Sequence, residues 1–156
     1  MAKLQSDLKE FIELLNSHGV EYVVVGGHAV AFHGHPRFTG DIDFFIRMTS
    51  SNVNRILAVL EDFGFGGLGI TEQDLLQPER IIQLGQPPNR IDILTSISGV
   101  DFESAWDKRV ETVMDDQAVN ILGWNELLKN KRVAARPKDL ADVEKLLAIA
   151  KRKGHR

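Results

Sequence analysis

The sequence contains no cysteine and no long uninterrupted apolar run. The absence of cysteine excludes disulfide bonds and thiolate metal sites. No stretch reaches the roughly 18 consecutive apolar residues of a membrane-spanning helix, so no membrane span is predicted. Acidic and amide side chains appear within residues 1–7, too early for a secretory signal. Together these features predict a cytoplasmic protein with no membrane partner.

Charge is distributed unevenly along the 156 residues, of which 43% are hydrophobic. This length and composition suit one folded domain over residues 1–156, with residues 122–156 as a C-terminal helical part. Residues 129–156 hold 10 of the 19 lysines and arginines but only 3 of the 22 acids. Such a basic segment either attracts an anionic partner such as nucleic acid or is a solvated helix face.

Apolar periodicity and turn residues predict alternating helices and strands, and thus a mixed α/β protein. Ser51 is a candidate N-cap, and a hairpin is expected to turn at residues 115–117. Glycine-rich residues 64–69 are expected to form a mobile connection. Helices are predicted over residues 4–15, 28–33, 51–63, 101–109, 124–133 and 137–151, and strands over residues 20–25, 41–46, 80–84, 90–94, 110–114 and 118–122.

Three acidic residues lie at the start of or inside predicted strands. Asp41 and Asp43 share a strand face about 6.6 Å apart, because alternate side chains point to the same side. Asp92 is flanked by isoleucines in a second apolar run, and it reaches the same space if the two strands are neighbours. Acids are depleted in strands, so this arrangement predicts a metal site. The alternative is that Asp41 ends a turn while Asp43 and Asp92 reach solvent.

A glycine pair, an acid-x-acid strand and a later single acid follow one another in this order: Gly26-Gly27, Asp41-Ile42-Asp43 and Asp92. This combination resembles the nucleotidyltransferase superfamily of DNA polymerase β type. The short length and the ending Arg136-Pro137-Lys138-Asp139 resemble its small prokaryotic members, some of which are toxins of toxin–antitoxin pairs. The resemblance covers roughly residues 20 to 148 and implies a mixed sheet of the nucleotidyltransferase type flanked by helices, with C-terminal helices.

The resemblance also implies roles for individual residues. Asp41, Asp43 and Asp92 are the expected catalytic residues and ligands of Mg²⁺ or Mn²⁺, and Asp92 is also expected to help deprotonate the attacking hydroxyl. Carboxylates, phosphate oxygens and water are the ligands that Mg²⁺ prefers, and two such ions stabilise both the entering and the leaving oxygen. Gly26 and Gly27 let the backbone approach a triphosphate closely.

Three further residues are expected to contact the nucleotide: Arg37, Thr39 and Lys129. Each has a structural alternative, because the two cations can be ordinary surface charges and Thr39 can cap a turn. Structural roles are favoured for Asp139 and Asp142, which suit the first turn of a helix. Trp106 and Trp124 are predicted to belong to the core.

The resulting functional hypothesis is transfer of a nucleoside monophosphate from a nucleoside triphosphate, such as ATP, to a hydroxyl of RNA (including tRNA), protein or a small molecule. A toxin role would add an antitoxin as a partner. The alternative is a catalytically inactive nucleotide- or partner-binding module on the same fold. His28 favours this alternative, because it stands where many relatives carry serine.

Overall fold

The computed structural model describes residues 6–35, 40–86 and 90–154. Helices and strands alternate through most of this length, as the periodicity predicted. The helices are α1 (Ser6–Ser17), α2 (Gly26–Phe32), α3 (Ser50–Asp62), α4 (Glu72–Leu75), α5 (Phe102–Asp107), α6 (Trp124–Ala134) and α7 (Pro137–Arg152). The strands are β1 (Tyr22–Val25), β2 (Ile42–Ile46), β3 (Ile81–Leu84), β4 (Ile91–Leu94), β5 (Val110–Met114) and β6 (Gln117–Ile121).

The strands form one mixed sheet in the order β3-β4-β2-β1-β6-β5. Strand β2 lies antiparallel to β1 and parallel to β4, and β1 lies parallel to β6. The register places Val25 opposite Asp43 and Asp43 opposite Asp92. One row across three strands therefore carries two of the three acids, directly before the glycine pair.

Alternation along β2 separates the acid-bearing face from a fully apolar face. On the apolar face, Phe44 packs between Phe11 of α1 and Tyr22 of β1, with ring centroids 5.5 and 5.4 Å away. Phe45 lies on the same face as Asp43 and packs against Phe102 of α5 at 5.2 Å. Packing on both faces holds β2 in place, so Asp43, the acid that this strand carries, has a firm support.

Tyr22 shows how completely the centre of the sheet is buried. Its side chain is inaccessible to solvent, and its hydroxyl donates to Asn16 Oδ1 at 3.1 Å. Burial raises the pKa of Tyr22 to about 12. The tyrosine is thus a neutral core residue that ties β1 to α1.

The local predictions for the cap of α3 and for the β5–β6 turn differ from the structure. Helix α3 begins at Ser50, and its N-cap is Thr49, whose side chain accepts a hydrogen bond from the Asn52 amide. The prediction of Ser51 as the N-cap is wrong, because Thr49 is the last residue with an extended backbone before the helix. The predicted hairpin is confirmed, but its turn is shorter, since Asp115 and Asp116 take the positive φ angles of 52° and 67° and Gln117 already belongs to β6.

Within the described ranges, no helix combines the length and apolar character needed to cross a bilayer.

Candidate active site

Asp43 and Asp92 form the centre of the site. They face each other in register on adjacent parallel strands, and their carboxyl groups are hydrogen-bonded to each other. Burial, reinforced by the charges of Asp92 and Asp41, raises the pKa of Asp43 to about 7. Two carboxylates this close repel each other when both are ionised. The pair therefore needs a proton or a cation between its oxygens.

Arg90 supplies positive charge next to this pair. Its Nη2 lies 2.8 Å from Asp41 Oδ2, and its Nε lies 3.0 Å from Asp92 Oδ1. Arg90 directly precedes β4, so alternation places its side chain on the same face as that of Asp92. The hydrogen bond to Asp92, followed by the charges of Asp92 and Asp41, raises the pKa of the guanidinium. One side chain thus bridges two of the three acids.

Gly26 lies against Asp43 at the start of α2. Its φ angle is 68°, and a Cβ atom at this position would lie 2.1 Å from Asp43 Oδ2. Only glycine combines this left-handed backbone with such a close carboxylate. The sequence predicted a helix from His28, but α2 begins at Gly26 itself, so the glycine pair is the first part of the helix.

Three basic side chains near the junction of α6 and α7, Lys131, Arg136 and Lys138, also line the site and form its basic wall. The buried Lys131 ammonium lies 3.3 Å from Asp139 Oδ1 and 3.3 Å from Asp142 Oδ2. Arg136 Nε lies 2.7 Å from Asp139 Oδ2. Burial opposes ionisation of Asp139, but hydrogen bonds from Arg136 and Lys131 outweigh it and lower the pKa of this carboxyl. The acids of α7 thereby fix two cations beside the site.

These groups surround a cleft of about 770 Å³. The three acids and the glycine pair line it beside the row formed by Asp43 and Asp92. Ile81 and Leu94, paired in register on β3 and β4, add apolar surface to the lining. The lining residues include apolar Ile81, Leu94 and Ile97, polar Ser96, Ser98 and Asn130, acidic Glu79, and basic Arg90, Lys131, Arg136 and Lys138.

The donor chemistry of the acids suits a hard divalent cation, which prefers a few carboxylate oxygens together with phosphate oxygens and water. In the parts of the chain that the structure describes, no three acidic or histidine side chains are arranged to hold a metal ion as they stand. The hydrogen bonds explain this arrangement, because Arg90 binds Asp41 and Asp92 while Asp43 binds Asp92. The residues thus fit a cation once these internal contacts are exchanged for it.

Five of the eight residues expected to be catalytic or to contact the nucleotide line this cleft: Gly26, Gly27, Asp41, Asp43 and Asp92. Two others, Arg37 and Thr39, lie outside the described residues.

Lys129 differs from the residues that reach the cleft. It is exposed, its charge acts on Asp101, and it is not among the residues that line the cleft. Lys131, about half a turn further along α6, lines the cleft instead. Its burial follows a signal in the sequence, since Leu127 and Leu128 precede it at helical spacing and mark the buried side of α6.

The sequence analysis also missed Arg90. The signal that points to it is its position two residues before Asp92, which places both side chains on one strand face. His28 was noted only as a departure from the family pattern. Its ring is largely buried, and Nε2 has no hydrogen-bond partner among the described residues. Burial lowers the pKa of His28, although the charge of Asp41 opposes this effect.

The two tryptophans and the two acids of α7 occupy the positions expected of structural residues. Trp106 and Trp124 are partly buried and pack against the core. Asp139 and Asp142 are buried and ion-paired. Asp139 also lines the cleft, so its structural role directly shapes the site.

Solved structures share this fold at low sequence identity. A Thermotoga maritima protein, provisionally described as a nucleotidyltransferase, matches with a TM-score of 0.54 at 15% identity over 96% of this chain and 91% of that one. An antigenic nucleotidyltransferase-like protein from Paracoccidioides brasiliensis gives 0.54 at 15% over 92% and 75%. The lincosamide antibiotic adenylyltransferase LnuA, solved with lincomycin bound, gives 0.53 at 18% over 96% and 99%.

The family comparison covers nearly the whole chain. No curated protein matches the sequence at a significant level. Residues 2–151, however, match the model of a family described as nucleotidyltransferase of unknown function (DUF6036). This match includes every described residue of the cleft, and the solved structures agree with it in fold. The chain therefore belongs to this nucleotidyltransferase family.

Proposed function

We propose that this cleft transfers a nucleoside monophosphate from a nucleoside triphosphate to a hydroxyl group, with Mg²⁺ or Mn²⁺ as the cofactor. The observation that carries the proposal is the row formed by Asp43 and Asp92 on adjacent strands, with Asp41 and the basic wall in the same cleft. Carboxylates suit divalent cations, and lysine and arginine suit phosphate. The cleft therefore contains both carboxylates that can bind a divalent cation and basic side chains that can bind phosphate.

The reaction exchanges one phosphorus–oxygen bond for another. The acceptor oxygen bonds to the α-phosphorus, the bond from this phosphorus to the bridging oxygen breaks, and pyrophosphate leaves with the electron pair. The hydroxyl proton passes to a carboxylate oxygen of Asp92. Asp41, Asp43 and Asp92 would hold the cation, which compensates the charge of the phosphates when bound.

The triphosphate is assigned to the space between the glycine pair and the basic wall. Gly26 and Gly27 line the cleft with partly exposed backbone, although Asp43 Oδ2 occupies the space where a Cβ atom of Gly26 would stand. Lys131, Arg136 and Lys138 also line the cleft and offset the charge of the departing pyrophosphate. Arg37 and Thr39 remain proposed phosphate contacts on the basis of the family resemblance.

A transfer assay with radiolabelled nucleoside triphosphates tests this function. The acceptor panel contains tRNA, other RNA, protein, and small hydroxyl compounds that include lincosamides, because LnuA is an adenylyltransferase for such antibiotics. We expect transfer by the wild type and a loss of about 100-fold or more in Asp43→Asn, which removes a ligand charge. Asp116→Asn, on the exposed hairpin turn, is the matched control. Equal transfer by the wild type and Asp43→Asn would refute catalysis at this site.

A binding module without turnover is the second candidate. It is favoured by the contacts of Arg90, which occupy carboxylate oxygens that a catalytic cation would use. Calorimetry with a nucleoside triphosphate and Mg²⁺ separates the two functions. Binding without product on any acceptor supports the module, whereas no nucleotide binding excludes both candidates.

A toxin role would be a biological use of the same chemistry, with tRNA or a protein as acceptor and an antitoxin as partner. Expression of the wild-type protein in the cytoplasm of bacteria would then arrest their growth, and the Asp41→Ala substitution would relieve the arrest. Growth at the same rate with both proteins would exclude this role and leave the transfer reaction untouched.

A further inference from the structure

Arg90 places its positive charge beside Asp41 and Asp92, where it offsets the repulsion between the carboxylates. Its Nε and Nη2 approach both carboxylate oxygens of Asp92, at 3.0 and 3.3 Å, while Nη2 also reaches Asp41 Oδ2 at 2.8 Å. Three of the four carboxylate oxygens of these two acids therefore face one guanidinium. A carboxylate oxygen directed at a guanidinium is not free to coordinate a second cation in the same direction, and two cations at this separation repel each other.

The backbone of Arg90 is anchored in the sheet, whereas its side chain reaches Asp41 and Asp92 from a partly exposed position. The carbonyl oxygen of Arg90 accepts a hydrogen bond from the Ile42 amide at 3.1 Å, which ties it to β2. The side chain is 28% exposed and lines the cleft. Rotation about its side-chain torsions can therefore move the guanidinium away from the acids while β4 stays in the sheet.

We propose that Arg90 is an internal counter-cation that competes with the divalent cation for Asp41 and Asp92. In the resting protein the guanidinium holds the two carboxylates together. The divalent cation binds only when this guanidinium is displaced, and the phosphates of a bound nucleotide give Arg90 a new partner in the same cleft. Cation binding and nucleotide binding thereby favour each other, as two ligands that both prefer the displaced state must. This inference rests on the proposed function for the identity of the cation.

The competition predicts an unusual effect of removing a positive charge. Calorimetric titration with Mn²⁺ alone, without nucleotide, should give binding about 10-fold tighter in Arg90→Gln than in the wild type, because charge-assisted hydrogen bonds no longer need to be broken. If Arg90 instead positions Asp92 for the metal, the same substitution weakens Mn²⁺ binding. Unchanged or weaker binding would overturn the proposal.

Two further variants check the interpretation. Arg80→Gln removes an arginine whose guanidinium bonds Gln77 outside the cleft, and it should leave the Mn²⁺ affinity unchanged. Arg90→Lys keeps the charge but lacks the planar fork, so its affinity should lie between those of the wild type and Arg90→Gln. An Arg90→Lys affinity below that of the wild type would argue against competition.

A measurement on the wild type does not depend on the folding of any variant. In ¹⁵N-labelled protein, the Arg90 Nε–H group that donates to Asp92 should give a protected NMR signal. Saturating Mg²⁺, which is diamagnetic, should abolish this protection. A signal that stays protected with Mg²⁺ bound would overturn the proposal.

The outcomes also separate this inference from the proposed function. Tighter Mn²⁺ binding by Arg90→Gln, with no transfer on any acceptor, would support the competition and count against catalysis. Transfer by the wild type, with weaker Mn²⁺ binding by Arg90→Gln, would support catalysis and overturn the competition. Absence of Mn²⁺ binding in both proteins would overturn both.

Discussion

Gly26 is the position where a single methyl group would have two separate effects. An alanine would have to adopt the φ angle of 68°, and its Cβ would meet Asp43 Oδ2 at 2.1 Å. Left-handed backbone alone costs an alanine about 1–2 kcal/mol. We expect Gly26→Ala to lower the free energy of unfolding by more than this, roughly 3 kcal/mol in total, and to displace the Asp43 carboxylate. Urea denaturation measures the first effect.

Gly19 provides the matched control for this experiment. Its φ angle is 70°, and a Cβ atom there would find no neighbour within 4 Å. Gly19→Ala therefore carries the backbone cost without the collision. Equal destabilisation by the two alanine variants would mean that the contact with Asp43 contributes nothing.

Asp43 makes the stability of the metal-free protein depend on pH. Its pKa is raised to about 7, so the folded state holds this proton more tightly than the unfolded chain does. The resulting stabilisation is complete below about pH 4 and is lost as the pH rises through the folded pKa. An asparagine side chain cannot ionise, so Asp43→Asn should gain on the order of 4 kcal/mol of stability relative to the wild type between about pH 4 and about pH 8. Urea titrations across this range measure the difference; a constant difference would contradict the assignment.

The sequence was sufficient to find the three acids and the glycines but not their cationic neighbours. Alternation along a strand determines which residues share a face, and the register agrees with it for Asp43 and Asp92. Asp41 directly precedes β2 and also lines the cleft. Arg90 and Lys131 have long side chains whose positions depend on which carboxylate they reach. That choice depends on the packing of α6, α7 and the sheet, which local periodicity does not specify.

At the scale of secondary-structure elements, the junction between α6 and α7 depends on one buried cation. Lys131 lies between Asp139 and Asp142, and all three side chains are almost inaccessible to solvent. Removing one partner of a buried ion pair leaves uncompensated charge. We expect Lys131→Met to lower the free energy of unfolding by about 3 kcal/mol, measured by chemical denaturation.

Lys129→Met is the matched control for this variant, since Lys129 is exposed on the same helix. It should change stability by less than about 0.5 kcal/mol. It also tests the earlier expectation that Lys129 binds nucleotide, because a substantial loss of nucleotide affinity in this variant would restore that role. Destabilisation of similar size in both variants would show that the buried pair is not what holds the junction.

The predicted element boundaries agree closely with the structure at the local β5–β6 turn. They agree less closely where an unusual backbone conformation is stabilised by residues distant in sequence. The β5–β6 hairpin was predicted because its turn residues and alternation agree. Helix α2 began two residues earlier than predicted, since glycine normally weakens a helix. Here Asp43 fills the space beside Gly26, so tertiary packing decides where the helix begins.

At the scale of the whole molecule, strand order was the least predictable feature. Strand β1 lies between β2 and β6, yet β6 follows it by almost a hundred residues. The apolar runs predict strands, but they do not determine which of these strands pair with each other. The predicted metal site required the strands of Asp43 and Asp92 to be neighbours, and the structure places these two residues in register on adjacent strands.

This sheet order predicts a gradient of local stability. Strands β1 and β2 are central and almost wholly buried, whereas β3 lies at an edge with Ile81 58% exposed. Edge strands open more readily because fewer contacts must break. In native-state hydrogen exchange, the amides of β1 and β2 should be the slowest and those of β3 markedly faster. Equal protection across the sheet would contradict this gradient.

Helix α7 begins at the cleft and leads away from it. Arg136, Lys138 and Asp139 line the cleft at its first turn, and its 16 residues span about 24 Å. An affinity handle or fluorophore joined beyond Arg152 would therefore sit far from the acids. Immobilisation through that end attaches the protein away from the residues that line the cleft, which makes it suitable for surface-based measurements of ligand binding.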